Sequence, residues 1–223
     1  MANSNAPVAI LSDGQGFLVC VKPPGPDSEI AMPQLLLSET GAPVRCVHRL
    51  DAGVGGVMVY AKTDRAAAAL SRFLGKGRFE KTYLALCAGT PEPAEGEMRD
   101  LLFRDSRRNR SFVVDRMRKG VREAVLRYRV LEWREGVSLV SVTLETGRSH
   151  QIRVQFASRR HPLLGDRKYG GKEAGAIALW AWRLGFPHPD TGEMLSFAAP
   201  PPQQEPWMDY DQTIQTIQGG IRI

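Results

Sequence analysis

The chain has 223 residues, of which 43% are apolar and 24% charged, a composition that is ordinary for a globular protein and sufficient for one large or two small domains. Its 30 lysines and arginines outnumber its 24 acidic residues, and the formal charge of +6 indicates an anionic partner: nucleic acid first, with an acidic small molecule or a membrane surface as alternatives. No apolar stretch could span a membrane, no signal pattern opens the chain, and three scattered cysteines exclude a disulfide framework or zinc spacing, so we expect a cytoplasmic protein.

The first half of the chain is predicted to form short strands and two helices. Consecutive prolines at Pro23 and Pro24 must end the strand before them, because proline has no N–H group for a strand ladder. The clearest helix is rich in alanine, has Thr63 or Asp64 as its N-cap and ends at Gly75. In chain order the predicted elements are strand 16–22, helix 32–39, strand 57–61, helix 64–74 and strand 79–88.

The second half is predicted to be richer in strands. Strands 124–133 and 137–145 are joined by a hairpin-like turn, and strands 176–184 and 194–198 close the fold. Between these pairs, the apolar pattern of residues 152–156 fits both a strand and a helix face. Because strands outnumber helices and do not alternate regularly with them, we predict an α+β fold with a mixed, mostly antiparallel sheet flanked by helices and loops.

No internal repeat or interdomain linker divides the chain. We therefore expect one domain with a central cleft over residues 1–206. After the prolines at Pro200 to Pro202, residues 207–223 are expected to form a mobile tail.

The most basic part of the chain lies between Arg99 and Arg122. Nine lysines and arginines face three aspartates there, an excess equal to the formal charge of the whole protein. A charge run can be only a solvated face, but its concentration in one segment favours a strip that follows a phosphate backbone. The arginines that we expect to contact such a backbone are Arg104, Arg107, Arg108 and Arg110.

A carboxylate stands just before the most apolar predicted strand of the chain. Asp51 follows His48 and Arg49 and precedes a glycine-rich turn that leads into the apolar run Val57 to Ala61. A carboxylate held at the start of a buried strand is positioned rigidly, which suits a catalytic group. The alternative is structural, since an aspartate before Ala-Gly is often a turn residue that binds its own backbone.

Several familiar enzyme sites are excluded by their missing motifs. The stretch H-R-L-D at 48–51 lacks the kinase spacing, and the chain has no phosphate-binding glycine loop, no G-x-S-x-G elbow and no H-E-x-x-H pair. The four histidines show no ligand spacing, so neither a metal nor a nucleotide cofactor is expected. A carboxylate, many arginines and a few aromatic residues are left as the candidate chemistry.

These residues stand in motifs that resemble the RluA family of RNA pseudouridine synthases. The set runs over most of the chain, from about residue 16 to residue 202, and its order and spacing are more specific than any single motif. The motifs are V-K-P-P-G at 21–25, H-R-L-D at 48–51 with the strand after it, K-T-Y at 81–83, G-R-S-H-Q-I-R at 147–153, H-P-L-L-G-D-R-K-Y-G at 161–170 and L-S-F-x-A-P-P at 195–201.

The resemblance implies a reaction and a catalytic set. A uridine of rRNA or tRNA is detached from its ribose, and the base turns and is rejoined through C5. Asp51 matches the essential aspartate, which attacks either the base or the sugar; both routes need the ionised carboxylate. Arg153 matches the arginine that pairs with this aspartate, and Tyr83 matches the tyrosine that stacks on the target base. As alternatives, Arg153 would be a surface arginine and Tyr83 part of the strand core.

The resemblance also suggests contacts with RNA and a flipped-out nucleotide. Arg49 matches the arginine that fills the vacated space. The residues assigned to phosphate contacts or to holding the site together are His48, Lys81, Arg148, His150 and Gln151, with His150 expected to act structurally.

The chain departs from the family pattern at a few positions. Val54-Gly55 stand where the family usually has Thr-Ser, and Gln155 and Arg160 replace a common histidine and glycine. The first strand begins within about 16 residues of the N-terminus, so we expect no N-terminal RNA-binding domain such as some family members carry. Substrate choice would then depend on the basic segment.

The sequence therefore predicts a cofactor-free, monomeric RNA pseudouridine synthase. One rival is an RNA-binding factor that kept the fold and lost catalysis; it would have no need for the combination of Asp51, Tyr83 and Arg153. A second rival, a hydrolase acting on a glycosidic bond, would need a second carboxylate and would release free uracil.

Overall fold

The computed structural model describes residues 7–171 and 175–219, and these fall into two compact units. The first unit comprises the described parts of Met1–Glu80 and Ala181–Ala199, and the second those of Lys81–Trp180 and Pro200–Ile223. Both contain antiparallel strands and helices, so the predicted α+β class with a mostly antiparallel sheet is confirmed. No helix within the described ranges combines the length and the apolarity needed to cross a lipid bilayer.

The first unit is built on antiparallel strands with a helix-covered core. Its strands are β1 (Ala9–Asp13), β2 (Phe17–Lys22), β3 (Arg45–Cys46), β4 (Gly55–Ala61), the part of β10 (Leu179–Pro187) from Ala181 onward, and β11 (Met194–Ala198), and its helices are α1 (Ala31–Thr40) and α2 (Asp64–Gly75). The order β1-β2-β4-β10-β11 follows from the pairings, with β3 beside β4. The strands predicted at 16–22, 57–61 and 194–198 and the helices predicted at 32–39 and 64–74 are confirmed. Strands β1 and β3 were not expected.

Alternate residues of β2 and β4 make the core of the first unit. Val19, Val57 and Val59 pack with Leu70 of α2 and with Phe186 of β10, and all five are almost fully buried. Helix α2 begins as predicted, with the Thr63 hydroxyl accepting the Ala66 N–H at 3.2 Å.

Gly56 allows β4 to approach β10 closely. A Cβ atom there would lie 2.2 Å from the Ala181 carbonyl oxygen, and the φ angle of 125° favours glycine. The glycine-rich start of β4 is therefore a packing requirement.

Among its described residues, the second unit has five strands that pair antiparallel with one another, together with Leu179 and Trp180 at the start of β10. They are β5 (Glu80–Ala88), β6 (Glu95–Asp105), β7 (Arg110–Val114), β8 (Val121–Arg134) and β9 (Val137–Leu144), in the order β5-β9-β8-β6-β7. The predicted turn between β8 and β9 is a two-residue loop in which Glu135 and Gly136 both have positive φ, which suits a tight hairpin. Strands β6 and β7, which contain much of the basic segment, were not predicted.

Residues 152–156, whose pattern fitted two structures, belong to helix α3 (Gln151–Ser158). All residues from Gln151 to Phe156 are buried, so an apolar face with a polar back, the usual signature of a helix, is missing. This explains why the periodicity was ambiguous.

The segment after residue 206 contains a 3₁₀ turn at Met208–Tyr210 and helix α4 (Asp211–Gly219), which the sequence analysis did not anticipate. The Tyr210 hydroxyl donates to the Val137 carbonyl at 3.1 Å, and the Thr213 hydroxyl donates to Glu132 at 2.7 Å. Ile214 is 3% exposed. These contacts attach α4 to the hairpin of β8 and β9.

Candidate active site

The loop between β3 and β4 contains Asp51. Its main-chain carbonyl accepts the Val54 N–H at 2.9 Å, and the next carbonyl, of Ala52, accepts the Gly25 N–H at 2.7 Å. Asp51 therefore begins a turn, as the structural alternative predicted. The residue is half-buried. A turn residue whose backbone is fixed in this way can still offer its carboxylate to chemistry.

Lys22 at the end of β2 is fully buried and holds this loop. Its Nζ donates to the carbonyl oxygens of Ala52 at 3.0 Å and Val54 at 2.8 Å, and to that of its neighbour Pro23 at 3.0 Å. Burial lowers the pKa of Lys22 to about 8, against an opposing electrostatic attraction to Asp51. A buried ammonium group is thus placed in the electrostatic neighbourhood of the candidate catalytic carboxylate.

The residues before Asp51 are fixed as firmly as those after it. The buried Ser28 hydroxyl donates to the Leu50 carbonyl at 3.0 Å and accepts the Leu50 N–H at 3.1 Å. His48 is 8% exposed, and its Nε2 accepts the Val59 N–H at 3.2 Å, which ties the loop to β4. The position of His48 favours a structural role over an RNA contact.

Arg49 differs from these neighbours because it is exposed. Its guanidinium lies 3.4 Å from the Glu29 carboxylate. The side chain of Arg49 is 49% exposed and that of Glu29 is 63% exposed. Exposed pairs of this kind contribute little to stability. Arg49 is therefore available to an approaching ligand.

In the second unit, Arg153 of α3 forms a buried bidentate ion pair with Asp166. Nε donates to Oδ2 at 2.7 Å and Nη2 to Oδ1 at 2.8 Å, with side-chain exposures of 7% for Arg153 and none for Asp166. Both groups are taken out of water, and the fork geometry fixes the plane of the guanidinium. The surface-arginine alternative is thus wrong, and Asp166 is a partner that the sequence analysis did not assign.

Tyr83 and Lys81 lie on β5. Tyr83 is 8% exposed, as expected for part of a strand core, and its position pairs with Val142 of β9. Lys81 is half-buried, and burial lowers its pKa to about 8. Neither observation tests the predicted contacts of these two side chains with RNA.

The motif before α3 folds into a turn that Gln151 organises. Its Oε1 accepts the Thr146 hydroxyl at 2.8 Å and the Arg148 N–H at 2.9 Å, and its Nε2 donates to the Val125 carbonyl at 3.1 Å. Gln151 is 3% exposed, so it holds the site together and is not placed for a phosphate contact. Arg148 is more open, with Nε donating to the Glu123 carbonyl at 2.9 Å.

His150 has a left-handed backbone conformation, and its Nδ1 lies 2.9 Å from the Tyr169 hydroxyl. That hydroxyl accepts the Ser111 N–H at 2.7 Å, so its own proton is available to Nδ1. The expected structural role of His150 agrees with this contact.

The predicted RNA-contacting arginines surround the turn between β6 and β7. Arg104, Arg107 and Arg108 are exposed, and Asp105 caps the turn by accepting the N–H groups of Arg107 and Arg108 at 3.0 and 3.1 Å. Arg110 is half-buried over aromatic rings. We call residues 104–122, from the end of β6 to the start of β8, the basic hairpin.

Two departures from the family pattern have a clear structural setting. Arg160 has a φ of 66°, a left-handed conformation that glycine adopts more easily than arginine. Gln155 is fully buried, and its Nε2 donates to Asp100 at 2.7 Å and to the Met98 carbonyl at 3.1 Å. Gln155 thus anchors the middle of α3 to β6, and Arg160 lies just after the end of the helix.

Lys22 and Asp166 are the main site residues that sequence reasoning missed. Each stands inside a motif that was noted, V-K-P-P-G and G-D-R-K-Y-G, but no local pattern shows that its charge is buried. The burial of Lys22 depends on contacts with Ala52, 30 residues further along the chain. The burial of Asp166 depends on Arg153, 13 residues before it. The signal in the sequence that could have indicated the burial of Lys22 is its position at the end of an otherwise apolar strand.

Asp51 belongs to the first unit and Tyr83 and Arg153 to the second. The predicted pairing of Asp51 with Arg153 stays a prediction.

Among the described residues no group of three His, Cys, Asp or Glu side chains could hold a metal ion. Burial raises the pKa of the thiols of Cys20 and Cys87 to about 12 and that of Cys46 to about 11, which disfavours thiolate chemistry.

Comparison with known proteins gives one consistent family. Residues 16–158, more than half of the chain, match the sequence family described as RNA pseudouridylate synthase. An uncharacterised RNA pseudouridine synthase of Aquifex aeolicus is 35% identical over 227 residues, covering 89% of this chain and 71% of the relative. A ribosomal large subunit pseudouridine synthase D of Neisseria meningitidis is 38% identical over 170 residues, covering 70% of this chain and 45% of the relative.

Solved structures agree on the fold. Human RNA pseudouridylate synthase domain containing 1 superposes with a TM-score of 0.79 at 24% identity, covering 95% of this chain and 94% of that one. Human RNA pseudouridylate synthase domain containing 4 superposes with a TM-score of 0.75 at 22% identity, covering 94% of this chain and 93% of that one.

The chain spans about half the length of several curated relatives that it matches, including one from Mycobacterium bovis of which it covers 52% at 38% identity.

Proposed function

The chain belongs to the RNA pseudouridylate synthase family, and on that premise we propose that it isomerises specific uridines of structured RNA to pseudouridine. The observation that carries the proposal is the family match over residues 16–158, which includes Asp51, Tyr83 and Arg153. The reaction breaks the bond between N1 of uracil and C1′ of ribose, turns the base and joins C5 to C1′. C5 loses its proton and N1 gains one, so no cofactor is consumed.

Asp51 is the proposed catalytic carboxylate. Its attack on the sugar or on the base requires the ionised form, and a cation nearby favours that form. Lys22 supports this assignment, because its buried ammonium donates to the carbonyls of Ala52 and Val54 on the same loop. The firm hold on both sides of Asp51 keeps the carboxylate in place while the base turns.

Arg153 and Tyr83 are proposed to complete the site. The pairing with Asp166 fixes the guanidinium plane of Arg153, which suits a group that must orient a carboxylate. Tyr83 is proposed to stack on the uracil, and base–aromatic stacking contributes about 1–3 kcal/mol per base. Because the glycosidic bond is inaccessible inside a stack, the target nucleotide is proposed to flip out, and the exposure of Arg49 supports its proposed role of filling the vacancy.

The basic hairpin is the proposed RNA-binding surface. In the part of the chain that the structure describes, Arg104, Arg107 and Arg110 form no ion pair with a carboxylate. Elsewhere on the same strands, arginines are neutralised by acidic neighbours; Arg99 contacts Glu97 and Glu123, both at 3.0 Å. The hairpin thus carries arginines whose charge no described carboxylate neutralises, and phosphates can bind there.

Ribosomal RNA is the first substrate to test, because one similar protein is named for the large ribosomal subunit; tRNA is the second. Both present uridines in loops that a protein can read. A cytoplasmic monomer is the proposed working form, which sedimentation of the purified protein with and without RNA would check.

The test uses total RNA from a strain that lacks the gene. The RNA is treated with the unmodified protein, with Asp51→Asn or with the control Asp64→Asn, which alters an exposed carboxylate paired with Arg45. Pseudouridine is mapped by carbodiimide-dependent stops of reverse transcription. We expect stops at one or a few uridines with the unmodified protein and the control, and none with Asp51→Asn.

Other outcomes identify the rivals. Tight, salt-sensitive RNA binding without any new stop would overturn the proposal in favour of an RNA-binding factor. Release of free uracil would indicate a hydrolase.

A further inference from the structure

Tyr169 lies at the centre of a cluster that joins the basic hairpin to helix α3. The guanidinium carbon of Arg110 lies over its ring at 5.0 Å from the centroid, and that of Arg153 lies over it at 5.2 Å. Its hydroxyl accepts the N–H of Ser111, the residue after Arg110, at 2.7 Å. One side chain therefore contacts both a predicted phosphate-binding arginine and the proposed catalytic arginine.

The charges in this cluster are unevenly compensated. Arg153 has Asp166 as a buried partner at 2.7 Å. Arg110 has no carboxylate partner among the described residues, and its Nε is buried without a hydrogen-bond acceptor. Arg110 is held mainly over the rings of Phe112 and Tyr169, at 5.5 and 5.0 Å. A half-buried cation with an unsatisfied donor gains most from an anion such as a phosphate.

The cluster is also attached at its polar edge. The Tyr169 hydroxyl contacts His150 Nδ1 at 2.9 Å, and the hydroxyl of Ser111 donates to the Ser149 carbonyl at 2.6 Å. The first contact joins Tyr169 to the turn from which α3 begins, and the second joins β7 to the same turn. Burial raises the pKa of Tyr169 despite the two guanidinium groups, so the phenol keeps its proton at neutral pH.

We propose that Tyr169 is a positioning residue through which phosphate binding at Arg110 is coupled to the orientation of Arg153. This rests on the proposed function, since Arg153 matters here as the arginine of the catalytic set. When a phosphate binds Arg110, the shift passes through the neighbouring Ser111 N–H to the Tyr169 hydroxyl that accepts it, and the ring transmits the shift to the guanidinium of Arg153 that lies over it. RNA bound at the hairpin thereby sets the geometry that Arg153 needs.

The variant Tyr169→Phe tests the proposal with the least disturbance. It keeps the ring over which both guanidinium groups lie and removes only the hydroxyl that fastens it to Ser111 and His150. The matched control is Tyr128→Phe, which removes another buried phenol hydroxyl in the second unit, one that donates to the Pro93 carbonyl at 2.8 Å. Equal thermal unfolding of the two variants separates coupling from stability.

The first readout does not depend on catalysis. Oligocytidylate supplies phosphates without any uracil, and nitrogen-15 NMR follows the Nε–H resonances of Arg110 and Arg153, assigned from Arg110→Lys and Arg153→Lys. We expect oligocytidylate to shift both resonances in the unmodified protein and in Tyr128→Phe, and only that of Arg110 in Tyr169→Phe. An Arg153 resonance that moves equally in Tyr169→Phe, or an Arg110 resonance that never moves, would overturn the proposal.

The second readout uses an RNA fragment that contains the uridine mapped above. Tyr169→Phe is expected to bind it with nearly unchanged Kd and to lose about tenfold in single-turnover rate, as for a free-energy difference near 1.4 kcal/mol. Adding Arg110→Gln weakens binding by the same factor in both backgrounds but lowers the rate only in the unmodified one. Rate effects that multiply would contradict the coupling. If the unmodified protein forms no pseudouridine, the proposed function fails, and the NMR readout still decides this proposal.

Discussion

Lys22 makes the Asp51 loop sensitive to pH. An ammonium group has three N–H donors for the three carbonyls around it, whereas a neutral amine has two. Since burial lowers the pKa of Lys22 from its ordinary value of 10.5 to about 8, the ammonium is complete below that pH and is lost as the pH rises through it. We expect the single-turnover rate to fall as the pH rises through about 8.

The pH profile must be assigned to Lys22, because burial also lowers the pKa of Lys81 to about 8. In Lys81→Met the fall near pH 8 should persist. In Lys22→Met the rate at pH 7 should already be reduced, with no further fall in that range. A fall that disappears in Lys81→Met would assign the titration to Lys81 instead.

Asp166 is expected to be the most sensitive carboxylate of the second unit. Asp166→Asn removes the carboxylate charge from the buried pair with Arg153, and breaking one side of a buried ion pair costs about 3–5 kcal/mol. Urea unfolding measures this loss. The control is Glu145→Gln, which breaks the exposed pair with Arg127 and should change the midpoint little. Similar midpoints for the two variants would show that the Asp166 pair contributes no more than a surface contact.

Single residues were predictable where a motif carried them and not where tertiary burial decided. Asp51, Tyr83 and Arg153 could be selected from the sequence, although their joint role stays a prediction. The burial of Lys22 could not, because it depends on carbonyls of a loop 30 residues further along. Gln151 was recognised as a site residue, but only the structure shows that its amide organises the turn.

The basic hairpin should determine how RNA binding depends on salt. Each phosphate contact releases a counterion, so Arg107→Gln is expected to reduce the slope of log K against log salt concentration by about 1. The control Arg129→Gln lies on β8 and loses an arginine that faces Glu95 at 3.8 Å, so its slope should stay unchanged. Equal reductions for both variants would indicate a general charge effect without a hairpin contact.

The elements that the sequence predicted are those with a strong local signal. Helix α2 has a cap, four alanines and a glycine end, and it was located within one residue. Strands β6 and β7 were missed because charged side chains interrupt the alternation at exposed positions such as Arg99 and Arg104 of β6. Helix α4 was missed because it is short and polar, and its stability depends on contacts with the β8–β9 hairpin, such as that of Thr213 with Glu132.

At the scale of the whole molecule, the fold class followed from counting strands and helices, and the structure confirms it. The division into two units did not follow, because no linker marks it: the first unit takes Met1–Glu80 together with Ala181–Ala199. Composition and spacing describe a continuous chain, whereas a discontinuous unit is defined by contacts between distant segments.

That discontinuity bears on how the protein forms during synthesis. Strands β5 to β9 pair with one another within a single stretch of chain, so they can assemble soon after they leave the ribosome. The core around Val19 and Val59 instead includes Leu184, Phe186 and Ala199, which are translated more than a hundred residues later. Until then β2 and β4 lack this part of their core, so we expect the nascent chain to need protection from aggregation over much of its elongation.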